Sequence, residues 1–103
     1  MFQQIDHEDT QQLINSAELV IIDVRDRESF ERGHIVGAIN LSMPAMQAFC
    51  LETNRSTPVL VYCYHGVSSQ SVAQFLVEQG FSQVYSLQGG FEVWKEHHPV
   101  SGH

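Results

Sequence analysis

One of the two cysteines, Cys63, follows the apolar run 58–62 and precedes a short polar segment that contains Gly66. A thiol is a nucleophile only when ionised, and an ordinary cysteine, with a pKa of about 8.5, is mostly neutral at pH 7. Successive backbone amides in a turn, joined by a helix N-terminus, form a nest that binds anions. Gly66 permits such a turn, and Ser68 and Ser69 offer further donors. The pattern predicts a stabilised thiolate at Cys63 that needs no basic side chain.

The other cysteine, Cys50, lies in the apolar helical stretch 46–51, where a buried core thiol is expected. Cys63 could itself be a buried thiol that packs as a small hydrophobe, and its sequence context is what favours a chemical role. The two cysteines form no C-x-x-C pair, and no second pair indicates a zinc site. We therefore expect neither a cofactor nor a metal.

Strand-like and helix-like segments alternate along the chain, which is typical of parallel pairing with helical crossovers. The fold class predicted is α/β, with a mostly parallel central sheet of about five strands, helices on both faces, and a single domain over residues 1–103. Helices are predicted from a cap at Asp6, over 27–32, over 44–52, from a Ser68 or Ser69 cap to Gly80, and over 91–97; strands are predicted over 19–24, 38–41, 58–62 and 84–87.

In parallel sheets, ligand sites lie just beyond the carboxyl ends of the central strands. Cys63 occupies such a place and Cys50 does not, so position alone separates the two thiols. Asp23 and Arg25 follow the strand predicted over 19–24, and we interpret them as an internal ion pair that holds the next loop.

The formal net charge is −7, and the five basic residues are scattered along the chain. No basic stripe is present for phosphate backbones or anionic lipid, so neither nucleic acid nor a membrane is expected as a partner. The longest apolar run is far too short to span a membrane, and the N-terminus lacks the features of a signal peptide. A cytoplasmic location is the expectation.

Other aromatic and imidazole side chains are expected to pack or to remain solvated rather than to react. Tyr64 is expected at the mouth of a pocket. His65 is expected in an exposed loop, where it could also act as a base or as a charge partner for the thiolate of Cys63. Packing is expected for His34 and Trp94, and solvent exposure for His97, His98 and His103.

The segment Cys63-Tyr64-His65-Gly66-Val67-Ser68 resembles the six-residue active-site loop of the rhodanese family of sulfurtransferases. Other segments agree with that family in their order, so the resemblance covers nearly the whole chain: Ile22-Asp23-Val24-Arg25, residues 30–40, residues 84–87 and residues 89–94. Within the family, the single-domain thiosulfate sulfurtransferases of bacteria are especially similar.

The resemblance implies that Cys63 is the nucleophile and carries sulfur as a persulfide, with the backbone amides from Tyr64 through His65, Gly66 and Val67 to Ser68 around the outer sulfur. Thiosulfate would be the donor, and cyanide, a small thiol or dithiol, or a reduced thiol protein the acceptor, in a two-step displacement. Larger rhodaneses often carry Arg or Lys in this loop, whereas residues 63–71 here contain neither.

Three alternatives to a small-molecule sulfurtransferase are considered. A carrier that delivers the persulfide to a protein partner would use the same loop chemistry. A non-catalytic rhodanese-like binding module commonly lacks the cysteine that this chain retains. A cysteine phosphatase needs Cys-x5-Arg to clamp its oxyanion, and Ser69 stands at that Arg position, so phosphatase chemistry is disfavoured.

Overall fold

The computed structural model describes residues 1–16 and 18–102 of the chain. The elements, in order, are β1 (Gln3–Ile5), α1 (His7–Ser16), β2 (Val20–Asp23), α2 (Arg27–Arg32), β3 (His34–Ile35), β4 (Ile39–Asn40), α3 (Met43–Glu52), β5 (Val59–Tyr62), α4 (Ser68–Glu78), β6 (Val84–Leu87), α5 (Gly90–His97) and β7 (Val100–Ser101).

The central sheet has five strands in the order β1-β6-β5-β2-β4, and every neighbouring pair is parallel. This confirms the predicted α/β class. Strand β1 was not predicted. The short antiparallel pair β3–β7 was also not predicted, because two-residue strands carry no periodicity that a sequence pattern can reveal.

Strand β5 explains why the apolar run before Cys63 is continuous. All four of its residues are buried, with alternate side chains in two different cores. Val59 and Val61 pack with residues of α3 and α4 on one face, whereas Leu60 and Tyr62 pack with residues of α5 on the other. A strand covered by helices on both faces must be apolar at every position, as predicted.

Carboxylate side chains cap the starts of α1 and α2, and of these two caps only the one at Asp6 was predicted. The carboxylate of Asp6 accepts a 2.9 Å hydrogen bond from the amide of Asp9, ahead of α1. Asp26 caps α2 by accepting from the amide of Ser29 at 3.0 Å. Helix α2 has the predicted bounds, and the remaining predicted helix bounds differ from the structure by one or two residues.

Histidines join the start of α1 to the end of α5. The ring of His7 stacks on that of His97 with centroids 4.0 Å apart, and its Nδ1 lies 3.0 Å from Nε2 of His98. The prediction of full solvation is therefore wrong for His98, which is half-buried, and correct for His97. His103 lies outside the described residues.

The strand order creates a crevice at the carboxyl edge of the sheet. From β2 the chain crosses to β4 on one side, and from β5 it crosses to β6 on the other. Such a reversal leaves a crevice beyond the strand ends, between the diverging connections. Cys63 follows β5 directly at this point.

Over the described residues, no helix has the length and apolarity needed to cross a bilayer.

Candidate active site

The side chain of Cys63 points into the loop that follows β5, and the residue is 4% exposed. Its Sγ accepts hydrogen bonds from the backbone amides of Gly66 at 3.1 Å and Ser69 at 3.3 Å. Hydrogen bonds of this kind stabilise a negatively charged sulfur more than a neutral one. The loop therefore forms an amide cradle around Sγ, as its sequence predicts.

The loop carbonyls are held away from the sulfur by other parts of the chain. Cys63 O accepts from the amide of Phe91 at 2.9 Å, and Tyr64 O accepts from the amide of Glu92 at 3.0 Å. Gly66 O accepts from Nε2 of Gln70 at 2.7 Å. In a trans peptide the N–H points opposite to the C=O. Fixing these carbonyls outward therefore turns the following amides toward the cradle.

Glycines allow the first turn of α5 to approach the loop this closely. A Cβ on Gly90 would lie 2.5 Å from Tyr64 O and 2.7 Å from Cys63 O, and its φ of +62° is in the left-handed region. Gly66, with φ of +86°, faces the same contact, since its Cβ would lie 2.9 Å from the amide nitrogen of Gly89. The sequence Gly89-Gly90 indicates a turn ahead of α5, but it does not reveal this contact with the loop.

Helix α4 begins differently from the prediction of a serine cap. Val67 is the N-cap residue, and its own side chain makes no capping hydrogen bond. The sulfur of Cys63 takes that place by accepting from Ser69, whose amide is one of the first-turn donors without a partner inside the helix. The buried hydroxyl of Ser69 also lies 2.9 Å from that of Ser86 on β6, which ties the helix start to the sheet.

The pKa of the Cys63 thiol reflects two opposing effects. Burial is the largest and raises the pKa, but the hydroxyls of Ser68 and Ser69 and the amides of Ser69 and Gly66 together lower it to about 7. A substantial thiolate fraction is therefore present near neutral pH. Cys50 contrasts with this: it is buried in α3, and burial raises the pKa of its thiol.

The predicted ion pair supports the strand end beside the cradle. Arg25 Nη2 lies 2.7 Å from Oδ2 of the buried Asp23 and donates to Gly33 O at 2.6 Å. The Arg25 guanidinium also lies 5.5 Å from the ring centroid of Tyr64. Burial and Asp23 raise the pKa of Tyr62, whose hydroxyl accepts from the amide of Ile35. This buried network fixes the Arg25 guanidinium, which lies against the ring of Tyr64.

The remaining loop residues face outward, and their expected surroundings are confirmed. Tyr64 is 42% exposed at a cavity mouth, Val67 is 73% exposed, and His65 is exposed.

Among the described residues, no group of three or more His, Cys, Asp or Glu side chains is arranged to hold a metal ion. His34 packs on Phe30 with centroids 3.9 Å apart, and Trp94 is buried.

A cavity of about 460 Å³ opens in the crevice next to the loop. The residue after β2 and the start of α4 form two of its walls, and Ser68 lies between this cavity and Cys63 Sγ. No charged side chain lines it; the lining residues are Val24, Leu41, Ser42, Met43, Ser68, Ser71 and Val72. A small molecule can therefore approach the loop from this side through a largely uncharged space.

Comparisons with known proteins agree with this geometry. The family model described as Rhodanese-like domain matches residues 6–97. The chain is 55% identical over 101 residues to a protein of Coxiella burnetii named Thiosulfate sulfurtransferase GlpE, covering 98% of this chain and 94% of that one.

Solved structures are similar over the same range. A rhodanese-like domain from Anabaena sp. superposes with a TM-score of 0.88 at 26% identity, covering 100% of this chain and 81% of that one. A rhodanese-related protein from Thermoplasma volcanium has a TM-score of 0.83 at 25% identity, covering 97% and 98%.

Proposed function

The chain belongs to the family of rhodanese-like domains and is a sulfurtransferase, and we propose that it moves the outer sulfur of thiosulfate to a thiophilic acceptor through a persulfide on Cys63. The observation that carries the proposal is the amide cradle around Cys63 Sγ, with donors from Gly66 and Ser69. Such a cradle suits a thiolate and a terminal persulfide sulfur equally, because both are anions. The name of the Coxiella burnetii relative supports thiosulfate as the donor.

In the first step, the Cys63 thiolate attacks the outer sulfur of thiosulfate. The sulfur–sulfur bond of the donor breaks, and sulfite leaves with the electron pair. The enzyme then holds Cys63 as a persulfide anion. The amides of Tyr64, His65 and Val67 follow the three carbonyls that are held outward. We assign these amides, with those of Gly66 and Ser68, to the new outer sulfur.

In the second step, a thiophilic acceptor attacks the outer sulfur, and the electron pair of the enzyme's sulfur–sulfur bond returns to Cys63 as a thiolate. The cycle is a ping-pong reaction with one covalent intermediate, and it needs no external oxidant or reductant. Cyanide and small thiols are acceptors of the required chemistry.

A carrier that delivers sulfur to a reduced thiol protein is the second candidate. It is favoured by the exposed apolar side chains around the loop: Met43 is 48% exposed, Tyr64 42% and Val67 73%. A partner protein that docked over the loop would cover these side chains and remove their apolar surface from water. A much larger kcat/KM with a reduced thiol protein than with cyanide or small thiols would favour this role.

Intact-protein mass measurement tests the proposal directly. After incubation with thiosulfate and removal of small molecules, we expect one added sulfur atom, which cyanide then removes. Cys63→Ser should gain nothing, whereas Cys50→Ser should gain and lose the sulfur as the unmodified chain does. A chain that gains no sulfur from thiosulfate, or gains it equally in Cys63→Ser, would contradict the proposal.

A further inference from the structure

A second cavity, of about 250 Å³, adjoins Tyr64 and collects much of the positive charge of the chain. Three of the five basic residues line it, namely Arg25, Arg32 and Lys95, although Lys95 is far from the other two in the sequence. The other lining residues include Tyr64 and Phe91. In a chain of formal net charge −7 with five basic residues, more than half of the cations therefore meet at one cavity.

Part of this positive charge is not held in an ion pair. Arg25 pairs with the buried Asp23, and Lys95 Nζ lies 2.8 Å from Glu92 Oε1 at the surface. Among the described residues, the side chain of Arg32 makes no ion pair or hydrogen bond; its charge acts on the Asp26 carboxylate from a greater distance, and the residue is exposed. A second cation, on Lys95, is held by a surface pair of the kind that contributes little stability and exchanges partners readily. The cavity can therefore take an anionic group.

The cavity adjoins the loop that carries the reacting sulfur. Tyr64 is the residue after Cys63, and consecutive Cα atoms are about 3.8 Å apart. Phe91 joins the two places, because its amide donates to Cys63 O while its ring lies 4.2 Å from the Arg25 guanidinium. The cradle and the cavity therefore border the same short stretch of the loop, which begins at Cys63 and Tyr64.

Charge also supplies a reason for a cationic cavity here. When a thiol accepts sulfur it attacks as a thiolate, and the persulfide that it attacks is an anion too. Two anions must therefore meet in a domain that is itself strongly negative. Cations beside the loop lower this repulsion, and the uncharged cavity on the Ser68 side offers no such help.

We propose that the cavity lined by Arg32 and Lys95 binds the carboxylate of the sulfur acceptor, so that the preferred acceptors are small thiols that carry a carboxylate near the sulfur. This rests on the function proposed above. The acceptor thiolate forms a bond to the outer sulfur, the enzyme's sulfur–sulfur bond breaks, and its electron pair stays on Cys63. The acceptor leaves as a persulfide anion, its thiol proton having passed to solvent beforehand. Arg32 and Lys95 act through their charge on the carboxylate.

Steady-state kinetics can separate the two half-reactions, because in a ping-pong cycle kcat/KM for each substrate reports on its own half. The probes are 3-mercaptopropionate, which carries the carboxylate, and 2-mercaptoethanol, which does not. The measured quantity is the ratio of their kcat/KM values, and comparing that ratio between variants cancels the intrinsic difference between the two thiols. The variants are Arg32→Gln and Lys95→Gln. Arg27→Gln is the matched control, since Arg27 is exposed and does not line the cavity.

We expect the ratio to fall about threefold to tenfold in Arg32→Gln, by a smaller factor in Lys95→Gln, and by less than about twofold in Arg27→Gln. An equal ratio in all four proteins would overturn the proposal. Mass measurement with thiosulfate alone reports on the proposed function separately, because it involves no acceptor.

A binding measurement that needs no persulfide completes the test. Titration of the ¹⁵N-labelled protein with 3-mercaptopropionate, without thiosulfate, should shift the amide resonances of Arg32 and Tyr64, and the shifts should be lost in Arg32→Gln. Titration with 2-mercaptoethanol should leave the Arg32 resonance in place. Shifts confined to the amides of residues 66–69 would place the ligand at the cradle alone and contradict the carboxylate site.

Discussion

The backbone N–H of Phe91, in the first turn of α5, donates a 2.9 Å hydrogen bond to the carbonyl oxygen of Cys63. The first-turn amides of a helix have no partners inside that helix, so they are available to other acceptors. Here α5 uses them to hold loop carbonyls, while the amides that contact Sγ come from Gly66 and Ser69. The two helices therefore have different roles, since α5 orients the loop and α4 begins at the sulfur.

The first prediction separates the two thiols. Cys63→Ser should lower sulfur transfer by about a thousandfold or more, because no other nucleophile occupies the cradle. Cys50→Ser should keep most of the activity and lose some stability, since Cys50 is buried in a core cluster. Steady-state rates and thermal unfolding of both variants check this. Comparable losses of activity in the two variants would show that the thiols had been separated wrongly.

The second prediction concerns the contact between α5 and the loop. Gly90→Ala should lower kcat/KM by about a hundredfold, because the new Cβ meets the carbonyls of Cys63 and Tyr64 and displaces the cradle. Gly37→Ala is the matched control: Gly37 has φ of +88°, and nothing lies within 4 Å of the added Cβ. It should cost about 1 kcal/mol of stability through backbone strain and leave the rate nearly unchanged. Equal rates in the two variants would remove the role of this contact.

The third prediction is a pH dependence. The Cys63 thiol has a pKa of about 7, so kcat/KM for thiosulfate should rise with pH through that value and then level off. Ser68→Ala should shift the midpoint upward, because a hydroxyl that stabilises the thiolate is removed. Ser71→Ala is the control, because the Ser71 hydroxyl donates to the backbone oxygen of Ser68 and is not among the groups that lower the pKa of Cys63. Thiolate absorbance against pH should give the same midpoints as the rates. Identical midpoints in both variants would contradict the assignment.

The fourth prediction concerns stability at mildly acidic pH. Burial, followed by the neighbouring His7 and His97, lowers the pKa of His98 in the folded chain. The unfolded chain therefore binds a proton at His98 more readily than the folded chain does. The stability that neutral His98 contributes to the folded state is fully present above a pH of about 6.5 and is lost as the pH falls through the folded pKa. Denaturant unfolding between pH 7.5 and about 5 should show a shallower loss of stability in His98→Gln. An unchanged slope would mean that the histidine contacts are not coupled to protonation.

The fifth prediction excludes phosphatase chemistry. The Arg position of a Cys-x5-Arg loop is occupied by Ser69, whose hydroxyl is buried against Ser86. A developing phosphoryl charge at Cys63 would have no bidentate clamp. We expect no release of phosphate from aryl phosphates above the level of Cys63→Ser. Cys63-dependent release at a rate near that of sulfur transfer would overturn the functional assignment.

Local features of the site could be predicted because they depend on neighbouring residues. The continuous apolar run of β5 indicates burial on both faces, and a parallel sheet places ligand sites at strand ends, so the position of Cys63 followed. The ion pair of Asp23 and Arg25 and the turn at Gly66 are also local in sequence, and the structure contains both. Each of these features follows from the types and the spacing of residues that are neighbours in the sequence.

Contacts between distant segments were decided only by the tertiary structure. The sequence contains Gly89-Gly90 but does not show that this turn packs on the carbonyls of Cys63 and Tyr64. The cap of α4 was predicted to be a serine, whereas the acceptor is a sulfur brought there by the loop. The basic residues are scattered along the chain, yet Arg32 and Lys95 reach one cavity, because α2 and α5 pack on the same side of the sheet. Such contacts depend on how helices and strands pack in space, and hydrophobic periodicity along the chain carries no record of that packing.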